Sequence, residues 1–189
     1  MDSTFAPFQA LKDNLEDMVL EEQAKLGYRR ETIRLYYPLS SLRHLLKNDL
    51  DAEEMDALLE HFADEQEPDC GPIGFSRRGD RFCIILPERF SELVHEKSDP
   101  KAFIVQLAAL LGQHGVTMEQ VEMLFAAQKA DYERKPVKDG EFDELFRFTC
   151  GTDRYFYCFK KEGPHMTYHR FLPEDYADLY GTEQEMAKR

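Results

Sequence analysis

Residues 23–46, "QAKLGYRRETIRLYYPLSSLRHLL", contain both kinds of secondary structure that this chain uses. A helix is expected to end at Gly27, because glycine readily adopts the left-handed conformation that follows a helix. Ile33, Leu35 and Tyr37 then alternate with other side chains, which predicts a short strand with one buried face. A leucine-rich helix follows at once. This stretch therefore predicts a fold that mixes helices with antiparallel strands.

Basic and aromatic side chains cluster around this strand. Arg30 and Arg34 lie beside Tyr36 and Tyr37, so a partner-binding surface is one interpretation of the cluster. The other interpretation is plain folding, in which the tyrosines are strand formers and the arginines pair with neighbouring carboxylates. These four residues are candidate binding residues on the first interpretation.

The junction after the strand also has a folding explanation. Pro38 cannot donate to a sheet ladder and is expected to end the strand. Ser40 or Ser41 can cap the helix that follows.

Outside this stretch, apolar residues recur every three or four positions, which predicts amphipathic helices. Asp51 and Glu54 have the spacing of a capping box, as do Thr117 and Gln120. Residues 65–74 have turn composition and predict a loop, and residues 73–86 predict a hairpin. The expected helices cover residues 5–26, 42–46, 51–62, 87–94 and 100–113, and one more begins at 117.

The C-terminal part changes from helical to strand patterns. Three strand-like runs at 142–150, 154–161 and 165–172 are separated by turn residues, and a short helix follows at 173–180. The order predicts an α+β fold with several helices packed on an antiparallel hairpin and a C-terminal three-stranded meander. A single domain is expected over 1–189, with a helix-rich part at 1–131, a connector at 132–140, the meander plus helix at 141–181 and a frayed tail at 182–189.

The composition narrows the function classes. The net charge of −13 and the pI near 4.9 disfavour nucleic acid and anionic membranes as partners. The first residues lack the pattern of a signal peptide, and no apolar run is long enough for a membrane span. The four cysteines are far apart and predict reduced thiols in a cytoplasmic protein.

The predicted meander carries a second set of candidate binding residues. His165 and His169 are four positions apart on one strand, so they point to the same face. Tyr155 and Tyr157 share a face of their own strand, and Tyr168 lies between the histidines in sequence. Tyrosine and histidine combine apolar bodies with polar tips, which suits ligand or protein contacts. A sheet covered on both sides gives the same aromatic pattern, and the strand register decides which faces coincide.

Cys150 and Cys158 extend the two histidines to a possible Cys2His2 set. The cysteines are eight positions apart, whereas structural zinc sites use gaps of two to four residues. We therefore expect no metal and no cofactor. No catalytic residues are assigned, because no nucleophile elbow, phosphate loop or zinc-protease helix is present in the sequence.

Two segments resemble a known family. "KLGYRRETIRLYYPLSSLRHLL" at 25–46 and "FCIILPERFSELVHE" at 82–96 are similar to a family of short bacterial proteins of unknown function. The resemblance implies a stand-alone bacterial cytoplasmic protein and transfers no site residues.

Two classes of function fit these observations. The first is a non-enzymatic module that binds a protein or peptide, and the acidic net charge favours a basic partner. The second is a small-molecule or metal-binding protein that uses the His/Tyr-rich C-terminal sheet. An enzyme is less expected, since the carboxylates form no recognisable catalytic pair.

Overall fold

The computed structural model describes residues 5–137 and 140–181, with side chains from Phe8 onward. Within these residues the fold is α+β, as predicted, with seven helices and two antiparallel sheets of three and four strands. Residue contacts divide the chain into two compact units, Met1–Val105 and Gln106–Arg189. The tail expected to be frayed, 182–189, lies outside the described residues.

The N-terminal unit combines four helices with the three-stranded sheet. The strand order is β1-β3-β2, so the last strand in sequence lies in the centre. The elements are α1 (Phe5–Leu26), β1 (Ile33–Pro38), α2 (Leu39–Leu46), α3 (Ala52–Cys70), β2 (Gly74–Arg78), β3 (Arg81–Leu86) and α4 (Glu88–Lys97).

The core of this unit lies against one face of its sheet. Leu11 and Leu15 of α1 pack in the same buried cluster as Phe62 of α3 and Phe82 and Ile84 of β3. All five side chains are almost fully withdrawn from water. The alternation predicted for β1 is confirmed, because its first and third residues are buried and the residue between them is exposed.

The start of α2 differs from the prediction. The helix begins at Leu39, and neither Ser40 nor Ser41 caps it. The Leu39 backbone N–H instead donates to the carbonyl oxygen of Asp80 in the β2–β3 turn at 2.8 Å. A backbone carbonyl of the β2–β3 hairpin, rather than a serine hydroxyl, is therefore the acceptor at the start of α2. Ser41 is buried within the helix.

Helix α3 begins as predicted and ends later. Asp51 accepts from the backbone N–H groups of Glu53 and Glu54, and the Glu54 carboxylate accepts from the Asp51 N–H in return. The loop expected over 65–74 is wrong for its first part, because the helix continues through Pro68 to Cys70. Cys70 is buried in the core, and this burial holds the last turn despite a composition that favours turns.

The capping box gives a direct test of these helix starts. Asp51→Ala should lower the free energy of unfolding by about 1 kcal/mol, because two N–H groups of α3 lose their acceptor. Ser40→Ala should change the free energy of unfolding by less than about 0.5 kcal/mol, since Ser40 is exposed and caps no helix. Urea denaturation of both variants measures the difference. A larger loss for Ser40→Ala would contradict the assigned start of α2.

The C-terminal unit contains the four-stranded sheet, in the sequential order β4-β5-β6-β7. Helix α5 (Phe103–Leu111) spans the division between the units. The remaining elements are α6 (Met118–Ala127), β4 (Tyr132–Pro136), β5 (Glu144–Phe148), β6 (Phe156–Glu162), β7 (His165–Phe171) and α7 (Pro173–Tyr180).

Strand β4 occupies part of the segment expected to be a connector, so the meander has four strands rather than three. Its sequence, YERKP, shows no apolar alternation and gives no strand signal. Charge pairs hold it instead. Glu133 lies directly opposite Arg147 of β5, and their side chains are 2.7 Å apart. Charged side chains are common on edge strands, where they discourage pairing with other chains.

Side chains from the same unit bury both faces of β6. Phe125 of α6 contacts Phe159 and Tyr157 on one face. Tyr176 of α7 contacts Phe156 on the other face. The aromatic pattern of this strand is therefore explained by a sheet that is covered on both sides.

Candidate interaction surface

The face of the first sheet that points away from its core forms a regular grid of side chains. On the central strand, Phe82, Ile84 and Leu86 point into the core, so Arg81, Cys83 and Ile85 point the other way. The register places one residue of β1 and one of β2 beside each of the latter three. We call this set the arginine–tyrosine face. Its three rows are Pro38–Arg81–Arg78, Tyr36–Cys83–Ser76 and Arg34–Ile85–Gly74.

Tyr36 and three arginines stand out from this face. Tyr36 is 70% exposed, although tyrosine usually buries much of its ring. Arg34, Arg78 and Arg81 are also exposed. Among residues 5–137 and 140–181, none of these three arginines has a carboxylate within 4 Å. The face thus carries three uncompensated positive charges in a chain whose net charge is −13.

The hairpin turn brings two of these charges together. Gly79 has φ +60°, which suits the first central position of a two-residue turn. Any residue with a side chain would be strained at this φ. The turn places Arg78 directly opposite Arg81. Facing residues of this kind have Cβ atoms about 5 Å apart, so the like charges repel one another.

Arg30 and Arg77 of the N-terminal unit are paired with carboxylates. Arg30 lies 3.3 Å from Glu88, as expected for a basic residue in an acidic chain. Arg77, on the core side of β2, donates to Asp56 at 2.6 Å. Tyr37 also points to the core side, and its hydroxyl donates to Asn14 at 2.7 Å. Of the four residues predicted around β1, the structure therefore places Arg34 and Tyr36 on the open face.

The candidate residues of the C-terminal sheet separate onto two faces. His165 and His169 alternate with the buried residues of β7, so they point away from Tyr168. Tyr168 pairs with Phe159, and Tyr157 is on that same side. The sheet therefore forms no single site that combines the predicted histidines and tyrosines.

Two of the three tyrosines among them are buried. Tyr157 is 1% exposed, and its hydroxyl donates to Asp153 at 2.6 Å. Burial raises the pKa of Tyr157 well above its usual range, with the nearby Asp153 carboxylate acting in the same direction. Tyr155 packs edge-on to Tyr157 and beneath the guanidinium of Arg170, whose carbon lies 4.3 Å from the ring centre. Tyr168 is also buried.

The histidines are exposed, and their neighbours do not form a metal-binding cluster among the described residues. The rings of His165 and His114 are 4.8 Å apart, and His169 lies beside Phe142 and opposite Cys158. No three histidine, cysteine or acidic side chains of the described residues are grouped so that they could hold a metal ion.

Arg134, Arg147 and Arg154 of the C-terminal unit are paired with carboxylates, unlike the three arginines of the arginine–tyrosine face. Arg134 of β4 donates to Glu144 of β5 at 2.6 Å and also to Glu122 of α6. The hydrogen bonds that Arg134 donates to Glu144 are the main reason that the pKa of Arg134 is raised. The pKa of Glu133 is lowered mainly by its bond to Lys135, with Arg147 acting in the same direction.

A cleft of about 250 Å³ lies between α1, α3 and α4. Phe90 and Val94 form part of its apolar wall, and the Lys97–Glu16 ion pair, 3.3 Å long, is part of its polar lining. Burial raises the pKa of the Cys70 thiol in its wall, so this thiol stays protonated and is a weak nucleophile. The cleft is smaller than the roughly 300–1,000 Å³ of typical small-molecule sites.

The fold and this surface define an α+β protein with one open, basic sheet face. The chain belongs to the DUF3877 family, described as a domain of unknown function after an E. rectale gene, whose profile matches residues 8–180. The resemblance seen in the sequence is thereby confirmed. Searches of curated proteins and of solved structures find no match. In the described residues, no helix has both the length and the apolar character needed to cross a bilayer.

Proposed function

We propose that this protein is a non-enzymatic interaction module and that the arginine–tyrosine face binds a peptide segment of a partner protein. One observation carries the proposal. Arg34, Arg78 and Arg81 stand exposed around Tyr36 without carboxylate partners among the described residues. Arginine and tyrosine are among the residues that contribute most to the affinity of protein interfaces.

Charge compensation elsewhere makes these arginines informative. The chain has 37 acidic residues against 24 basic ones, so a carboxylate is available to most arginines. Arg77, Arg147 and Arg154 each lie within 2.7 Å of one. Arg29 also has no carboxylate within 4 Å among the described residues, but it lies outside the sheet. Three such arginines on one sheet face are therefore better explained by an external partner than by the balance of charges within the chain.

The size of the face favours a peptide over a folded domain. Three strands spaced about 4.8 Å apart and five residues long span about 10 by 13 Å between Cα positions. Even with extended side chains this area covers on the order of 500 Å², below the roughly 800 Å² that each partner contributes to a standard interface. A short segment of chain fits these dimensions.

The chemistry of the face also fits recognition better than catalysis. Its nine residues include no histidine and no carboxylate, the usual groups for proton transfer. Cys83 is its one thiol and is buried to 7% exposure between its neighbours. What remains is positive charge, one large aromatic ring and a low apolar floor.

Site-specific photo-cross-linking tests the proposal. A benzophenone amino acid replaces Tyr36 in the full chain, which is irradiated in cells that naturally produce it. The matched control carries the same group at Met123, which is 63% exposed on α6. We expect an adduct with one defined protein at position 36, identified by mass spectrometry, and no such adduct at position 123.

The arginines decide whether the adduct reflects specific binding. Replacing Arg34 and Arg81 by alanine should remove the position-36 adduct, because the charges that orient the partner are lost. An adduct that persists in this variant, or that forms equally from position 123, would show that the face is not the partner surface.

A further inference from the structure

The three rows of the arginine–tyrosine face have a repeat that matches an extended peptide. This inference rests on the proposed function and concerns the chemistry of the partner segment. The row of Arg78 and Arg81 and the row of Arg34 are four residues apart along β1, or about 13 Å. Tyr36 lies in the row between them. An extended chain presents side chains to one side at every second residue, about 6.7 Å apart, so residues i, i+2 and i+4 align with the three rows.

The two ends of the grid select negative charge. Arg78 and Arg81 face each other across the hairpin, so a carboxylate between them satisfies both guanidinium groups and relieves their mutual repulsion. Arg34 offers a third guanidinium at the far end. The net charge of the chain predicted a basic partner, but this face has the opposite sign and attracts an acidic one.

The part of the face between its charged ends selects an apolar side chain. Cys83 of the middle row and the half-buried Ile85 of the Arg34 row form a low floor, and Gly74 beside Ile85 adds no side chain to it. Tyr36 stands beside this floor as an exposed wall. An aliphatic side chain placed there covers apolar surface on two sides.

We infer that the partner segment is an extended acidic peptide with an acidic residue at i, an aliphatic residue at i+2 and an acidic residue at i+4. The first carboxylate binds between Arg78 and Arg81, the aliphatic group packs on Tyr36 and Cys83, and the second carboxylate binds Arg34. The opposite chain direction exchanges the two acidic ends and leaves the spacing unchanged.

A second copy of this chain is a poor source of the segment. The spacing acidic–x–aliphatic or aromatic–x–acidic does occur in its sequence, for example at Asp17–Val19–Glu21 and Asp56–Leu58–Glu60. Each occurrence lies within helix α1, α3, α4 or α7, where the same residues serve amphipathic packing. None is presented as an extended strand, so the segment comes from another protein.

Fluorescence anisotropy with synthetic peptides tests the inference on the full chain. The probe is a labelled peptide with glutamate at positions 1 and 5, leucine at 3 and serine elsewhere. A second peptide of identical composition carries glutamate at 1 and 3 and leucine at 5, and a third carries lysine at 1 and 5. We expect binding of the first peptide, at least about tenfold weaker binding of the second and no binding of the third.

Matched variants locate the contacts. The double variant Arg78→Gln/Arg81→Gln should raise the Kd of the first peptide about tenfold or more, because the bridging carboxylate loses both donors. Arg34→Gln should raise it about threefold to tenfold. Arg29→Gln is the control for Arg34→Gln, because it removes one positive charge from an exposed arginine outside the sheet. It should leave the Kd unaltered.

Several results would overturn the inference. These are equal affinity for the two glutamate peptides, no effect of the face variants, or binding of a phosphoserine peptide or a single-stranded oligonucleotide but not of the glutamate peptide. Concentration-dependent dimers in sedimentation experiments, lost in Arg34→Gln, would identify a second copy as the occupant instead. If no peptide binds while the position-36 cross-link persists and depends on the arginines, the partner surface stands and only the acidic spacing is wrong. If the position-36 cross-link is absent as well, the proposed function itself is wrong.

Discussion

Phe125→Ala should lower the free energy of unfolding by about 3–5 kcal/mol, the range for a large aromatic side chain removed from a core. Phe125 is fully buried, and its ring lies within 6.4 Å of five other aromatic rings. Because these rings come from three strands, the cavity left by alanine cannot be closed by the shift of a single neighbour. The contacting rings are those of Tyr132, Phe146, Phe148, Tyr157 and Phe159.

Met123 provides the control on the same helix. It is 63% exposed, so Met123→Ala should change stability by less than about 0.5 kcal/mol. Urea unfolding monitored by far-UV circular dichroism gives both values. A loss for Phe125→Ala below about 1 kcal/mol would mean that α6 does not pack on the sheet through this ring.

Local patterns predicted the elements whose signals lie within a few residues. The helix end at Gly27 is confirmed by its φ of +82° and by its N–H bond to Gln23. The capping boxes that begin α3 and α6 are confirmed as well. In each case the hydrogen-bond partners are at most four residues apart, so the sequence contains the whole interaction.

The elements that the sequence missed depend on distant partners. Strand β4 exists because Arg134 and Glu133 find opposite charges on β5, and nothing inside YERKP indicates this. The last turns of α3 depend on the burial of Cys70 in a core built by other helices. Tertiary contacts override local propensity in both segments.

The candidate surface was visible in the sequence only in part. The alternation of β1 places Arg34 and Tyr36 on the same face of the strand. No local pattern marks Arg78 and Arg81 as binding candidates, because only the strand register places them on the same sheet face as Arg34 and Tyr36. The same limit applied to the C-terminal sheet, where a shift of one residue moves every side chain to the opposite face.

The strongest test of the assigned faces compares two aromatic residues of the first sheet. Phe82→Ala should lower the free energy of unfolding by about 3–5 kcal/mol, because the ring is 1% exposed and packs in the main core. Tyr36→Ala should change it by less than about 0.5 kcal/mol, since 70% of the residue already faces water. Denaturant titration of both variants gives the comparison.

The two outcomes together bear on function. Tyr36 points away from the core, on the face opposite to that of Phe82. If its removal costs no stability but abolishes the cross-link and the peptide binding, folding does not explain why a large ring stands exposed there. A loss for Tyr36→Ala as large as that for Phe82→Ala would instead mean that the ring is covered within the folded chain. The arginines around it would then face protein rather than a partner, and the binding surface would have to lie elsewhere.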